Sequence, residues 1–109
     1  MRVQIRAVGV EANEDLLGYA AKRVHFALGR LLEPTDLVRV FLTEQRSPRR
    51  GPESRCVIHV PAMAVVHAVA MTHYAAVDEA ADKIAHAFLR ARGRHRERPR
   101  ATLRTGTDG

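Results

Sequence analysis

The hydrophobic pattern along the chain switches between two periods. Residues 2–8 alternate, with Val3, Ile5 and Ala7 on one face and Arg2, Gln4 and Arg6 on the other. A two-residue period predicts a half-buried strand. Leu16, Leu17, Ala20, Val24, Ala27, Leu28 and Leu31 then recur at helical spacing, which predicts an amphipathic helix over about 13–32. Asn13 suits the N-cap, and Glu14 and Asp15 suit the positive end of the helix dipole. Pro34 disfavours helical geometry at Glu33 and ends the segment.

Alternation returns near 37–46, with Val38, Val40 and Leu42 set against Arg39, Phe41 and Thr43, and again near 54–61, with Cys56, Ile58 and Val60 inward. A fourth strand near 64–71 is almost wholly small or apolar, so the pattern does not select its inward face. Short connections on both sides of the third strand favour an antiparallel meander of strands two, three and four. Thr72 caps a second helix over about 73–92, whose buried stripe is Val77, Ala81, Ile84 and Phe88, with Tyr74 a turn earlier. Asp78, Glu79 and Asp82 lie early in it and arginines late, as the macrodipole favours. Gly93 marks its end.

The order is β-α-β-β-β-α, an α+β fold. Each helix has a single apolar stripe, so the simplest packing lays both on one face of a four-stranded sheet. Residues 1–93 form one domain. Residues 94–109 contain Pro99, two glycines and no periodicity, and are expected to form a disordered basic tail.

Composition narrows the function. Cys56 is the only cysteine among 109 residues, which excludes an internal disulfide and a four-cysteine zinc site and fits a reducing cytosol. No two of the six histidines have HxxxH spacing, so no metal is expected. No apolar run approaches the roughly 20 residues of a membrane span. The alternating N-terminus lacks the apolar stretch of a signal peptide. There is no glycine-rich phosphate loop and no GxSxG motif, and Cys56 on the apolar face of a strand reads as core. Neither catalysis nor a cofactor nor a small-molecule substrate is expected.

Charge supplies the positive signal. The net charge is +6, and 16 of the 18 basic residues are arginine, which forks onto phosphate and stacks on bases as lysine does not. Residues 1–89 are near balance, whereas 90–109 hold seven arginines and two acids. A basic end on a neutral body suits a polyanion. Lys83, His86, Arg90 and Arg94 are spaced three, four and four apart, one stripe about 16 Å long at 1.5 Å per residue. That stripe has no carboxylate after Glu79, where an ordinary solvated face interleaves both signs. A second basic element is the segment 46–55, expected as an open loop that presents Arg46, Arg49, Arg50 and Arg55 against Glu53. The plain alternatives are a solvated helix face and a simple hairpin connection. Phe41 is the sole aromatic of the strands, so the aromatic sheet platform of the common single-stranded RNA-recognition fold is not expected. Contacts to phosphate and sugar are.

Three stretches carry a resemblance. Val3-Gln-Ile-Arg-Ala-Val-Gly-Val10 followed by Asp15-Leu-Leu-Gly-Tyr-Ala-Ala-Lys-Arg-Val24, the loop Ser47-Pro-Arg-Arg-Gly-Pro-Glu-Ser-Arg-Cys56, and Tyr74-Ala-Ala-Val-Asp-Glu-Ala-Ala-Asp-Lys-Ile84 resemble, in order and spacing, the ribosome hibernation promoting factor family. Its members are also called ribosome-associated inhibitors or sigma-54 modulation proteins. The resemblance covers residues 1 to about 92 and is to the short form. It implies a fold akin to the double-stranded RNA-binding arrangement. It also implies a cytoplasmic, non-catalytic inhibitor that sits on the rRNA of the small ribosomal subunit, in the channel for messenger and tRNA. Basic residues of the family's second helix face rRNA, which implies that role for Lys83, His86 and Arg90. The chain departs from the family in having Ala70, Met71, Thr72 and His73 where acids are common, in its Arg- and Pro-rich loop, and in lacking the dimerisation domain of long members. Two other readings fit the residues alone. One is a regulator that binds free structured RNA, distinguished by its affinity for naked duplex. The other is a protein-interaction module, distinguished by salt-insensitive binding without RNA affinity.

Overall fold

A computed structural model describes residues 1–11 and 13–106, with side chains as far as residue 91. The elements are β1 (Arg2–Val8), α1 (Glu14–Leu28), β2 (Leu37–Ser47), β3 (Gly51–Val60), β4 (Ala64–Ala70) and α2 (His73–Gly106). The sheet order is β1-β2-β3-β4. β1 and β2 are parallel, joined through α1, and β2, β3 and β4 form the antiparallel meander that their short connections dictate.

Alternation in the strands decides the layers. Val38, Val40 and Leu42 of β2 and Cys56, Ile58 and Val60 of β3 are fully buried on one face. They share a core with Leu16, Ala20, Val24 and Leu28 of α1 and with Ala76, Val77, Ala80, Ala81 and Ile84 of α2. Both helices therefore cover the same face. Register settles β4, because Cys56 pairs with Ala68 and Ile58 with Val66. Ala64, Val66, Ala68 and Ala70 point inward, and Val65, His67 and Val69 point to the open face. The caps form as the sequence predicts. Asn13 Oδ1 accepts from the Leu16 amide at 2.8 Å and Thr72 Oγ1 from the Ala75 amide at 3.1 Å.

Three boundaries differ from expectation. α1 stops at Leu28 rather than near residue 32. The chain tightens after Gly29, and the amides of Leu31 and Leu32 both donate to the Leu28 carbonyl, at 2.9 and 3.1 Å. Leu31 and Leu32 still pack on the core from this turn, so their apolar spacing survives without helix.

The expected open loop 46–55 is instead almost all strand. Ser47 pairs with Gly51 and Arg46 with Pro52, leaving only residues 48–50 as the turn. Ser and Pro head the turn as such positions prefer, and Ser47 Oγ accepts from the Arg50 amide at 3.4 Å. Gly51 takes φ +76°, which costs glycine nothing. Pro52 is tolerated because it lies at the start of its strand.

The third difference is the end of α2, which continues past Gly93 to Gly106. Residues 94–106 are in helical conformation, and the last residues, 107–109, lie outside the described residues. Glycine and proline disfavour helix by about 1 and 3 kcal/mol, which is why Gly93 and Pro99 read as terminators. The arginines, alanines, glutamate and leucine around them favour it.

Candidate nucleic-acid interface

The two helices are locked in register by a polar clamp. Tyr19 and Arg23 stand one turn apart on α1, and Asp78 and Asp82 one turn apart on α2. The Tyr19 hydroxyl donates to Asp78 Oδ1 at 2.6 Å, Arg23 Nε donates to the same oxygen at 3.0 Å, and Arg23 Nη2 donates to Asp82 Oδ1 at 2.8 Å. The Tyr74 ring meets Tyr19 edge-on at 5.1 Å. Macrodipole complementation does not explain these acids, since the first turn of α2 holds none and the dipole effect fades within that turn. Their role is to hold Arg23. Burial opposes the Arg23 charge, but the bonds and charges of Asp82 and Asp78 outweigh it and raise its pKa. The hydrogen bond to Asp78 likewise raises the Tyr19 pKa. That contribution is fully present below the ordinary tyrosine pKa and is lost as pH rises through the folded value. Asp78→Ala removes the acceptor shared by both partners. It is expected to lower Tm by a few degrees in a thermal melt, and an unchanged Tm would show that the clamp contributes nothing.

The clamp also sorts charge. Asp78 and Asp82 face α1, as do Ala85 and Leu89, which line a cleft with Phe26 and Arg30. Lys83, His86 and Arg90 lie on the face of α2 turned away from the core, and all three are exposed. Asp78 and Asp82 are paired with Arg23 in the seam, whereas Glu79 is exposed at the start of the cationic stripe. The Lys83 amine donates to the His67 carbonyl of β4 at 3.0 Å, which ties the helix to the sheet edge. An ammonium has three donors, so two remain for a phosphate. The side chain of Arg94, the stripe's fourth cation, lies outside the described residues.

The other predicted residues fall elsewhere. Arg49 and Arg50 occupy the exposed β2–β3 turn, with Arg50 Nε 3.4 Å from the buried carboxylate of Glu53. Arg46 is exposed beside them in β2. Arg55 pairs with Thr43 and Val69 and points to the open sheet face. The turn lies beyond the Ala70 end of β4, where α2 begins, whereas Arg90 lies toward the Ala64 end. At about 3.3 Å per strand residue and 1.5 Å per helix residue, the two cation groups are roughly 30 Å apart. They form two separate cationic groups. The matched spacing of Tyr19 and Arg23 with Asp78 and Asp82 is the signal by which the sequence could have revealed the clamp.

Other chemistry finds no support among the described residues. Cys56 is buried and its thiol is pushed up to about 12 by that burial, so it is a core side chain and no nucleophile. No group of three or more His, Cys, Asp or Glu residues is placed to hold a metal ion among the described residues. No described helix is long and apolar enough to cross a membrane.

The family model described as sigma 54 modulation protein / S30EA ribosomal protein matches residues 3–96. Among solved structures, the fold is similar to the Thermus thermophilus Protein Y N-terminal domain, with a TM-score of 0.65 at 19% identity, covering 83% of this chain and 98% of that one. It is also similar to a ribosomal subunit interface protein from Coxiella burnetii, with a TM-score of 0.59 at 14% identity, covering 85% and 99%. A sequence search of curated proteins found no match.

Proposed function

Since the chain belongs to the sigma 54 modulation protein / S30EA ribosomal protein family, we propose that it is a non-catalytic, cytoplasmic, ribosome-associated hibernation factor. It binds rRNA of the small subunit and blocks the channel for messenger and tRNA under stress. The observation that carries this reading is the outward stripe Lys83, His86 and Arg90 on α2. The Arg23 clamp holds Asp78 and Asp82 away from it, no carboxylate follows Glu79 along it, and Arg94 continues it in sequence. Phosphate neutralisation supplies the affinity and the shape of the domain supplies selectivity. Arg46, Arg49 and Arg50 form a second rRNA contact at the hairpin tip. Inhibition is steric, because the site has no covalent chemistry to perform.

A sucrose-gradient profile of tagged protein from starved cells tests this directly. The protein is expected with small subunits or whole ribosomes, and recovery only at the top of the gradient would contradict the proposal.

The basic segment after α2's last core contact adds affinity without register. Deleting residues 95–109 removes four arginines and no periodic apolar stripe; among the described residues, the core on α2 is built by side chains up to Ile84 and the partly buried Phe88. The truncated chain is expected to melt at nearly the same temperature, to bind subunits more weakly and to show a flatter salt dependence. A truncated chain that does not fold would show instead that the segment is structural.

A further inference from the structure

The face of the sheet away from the helices is also cationic. Register places its side chains in rows across the strands: Arg2 beside Leu37, then Gln4, Arg39, His59 and Val65, then Arg6, Phe41, Val57 and His67, then Val8, Thr43, Arg55 and Val69. These rows contain four arginines, two histidines and no carboxylate. The nearest acid of matching orientation, Glu53, is buried and pairs with Arg50. Among the described residues, Arg2, Arg6, Arg39 and Arg55 have no ion-pair partner. Arg6 and Arg39 are diagonal neighbours about 8 Å apart, from the strand spacing and rise. That is about one Debye length at physiological salt, so their charges repel one another, and no described carboxylate compensates either.

Shape and apolar content identify the source. A groove of about 420 Å³ runs over β1 and β2, lined by Gln4, Ile5, Arg6, Arg39, Val40 and Phe41. One aromatic residue, two arginines and a glutamine thus line the same groove. Exposed valines, Val65 and Val8 among them, interleave the remaining charges. Duplex RNA presents phosphates but shields its base faces, and an acidic peptide has no flat surface to lay on Phe41. An unpaired RNA strand has both phosphates and open π-faces.

We infer that the open sheet face is a second RNA-binding surface that takes a single-stranded segment, with Arg6 and Arg39 on its phosphates and one base stacked on Phe41. One stacked base distinguishes it from sheet platforms that stack two or three. The α2 stripe lies on the helix side of the sheet, so the domain grips RNA from two sides. This inference rests on the reading of the chain as an RNA binder but not on the contacts of α2.

Fluorescence anisotropy of fluorescein-labelled dodecauridine with the full chain, at several salt concentrations, tests it. The wild type is expected to bind. Arg6→Gln with Arg39→Gln should reduce the log–log salt slope by roughly 1.4, at about 0.7 per phosphate contact on a single strand. Phe41→Leu should weaken binding roughly fivefold or more with the slope unchanged, from the lost stacking. Both variants should melt as the wild type does. Lys83→Ala with Arg90→Ala should keep dodecauridine binding while losing small-subunit binding. Wild-type affinity and slope in the Arg6, Arg39 variant would overturn the inference, as would equal displacement of the probe by dodecaglutamate. A wild type that binds subunits but not dodecauridine would also overturn it while leaving the proposed function standing. Binding to neither would overturn both.

Discussion

Replacing Lys83, Arg90 and Arg94 together by alanine is expected to abolish inhibition of translation while the domain stays folded. Neither Lys83 nor Arg90 packs in the core, so the cost falls on binding. A hydrogen bond to a charged group contributes about 1.5 kcal/mol or more, so three lost together weaken binding on the order of a thousandfold. Salt dependence gives an independent readout. Each phosphate contact contributes roughly 0.7–0.9 to the log–log slope, so the slope should fall by about two units or slightly more. Lys83 also anchors the β4 edge through His67, so circular dichroism and a melt of the variant separate loss of contact from loss of fold. A folded variant with wild-type affinity and slope would remove the α2 site and make the hairpin arginines the leading rRNA contact.

The second large effect is on stability. Ile84 is fully buried between the sheet and α1, as is Leu28 on the facing helix. Truncating either to alanine deletes methyl groups from a packed core and leaves a cavity, a loss of about 2–5 kcal/mol. At roughly 4–8 °C per kcal/mol for a domain of this size, Tm should fall by about eight degrees or more. A chemical-denaturation midpoint should fall with it at unchanged m-value. A loss below about 0.5 kcal/mol would mean that the helices bury a different stripe.

Much of this architecture is legible in the sequence because its elements are strongly periodic. Val38, Val40 and Leu42 alternate without interruption, and Leu16, Ala20, Val24 and Leu28 keep a perfect four-residue step, so burial assigns both element type and face. β4 carries no such contrast, and only its register with β3 shows that Val66 and Ala68 face inward. The errors fall where local turn chemistry or propensity competes with punctuation residues. Pro48, Gly51 and Pro52 together suggest an open loop, yet one tight turn and one positive φ close the hairpin around them. Gly93 and Pro99 suggest a helix end, yet the residues between them favour continuation. The clamp of Arg23 on Asp78 and Asp82 was hidden for another reason. It joins residues 55 or more apart in sequence, and an acid near a helix start has a ready local explanation that the structure overrules.

The cation stripe was visible from spacing alone, but its isolation from the hairpin arginines was not. Sequence places Arg49 and Lys83 in one list of basic residues, whereas topology sends them toward different ends of the sheet. Two contacts far apart suit a domain wedged in a channel, where each end meets a different stretch of RNA.

The proposed blocking of the channel makes the most direct test one of mutual exclusion. Purified small subunits are loaded with a messenger and an initiator tRNA, the chain is added in increasing amounts, and all three are followed by co-sedimentation. Blocking of the channel predicts that tRNA and messenger leave the particle as the chain binds, with one chain per subunit at saturation. Stable co-occupancy of chain, messenger and tRNA on the same subunit would contradict it.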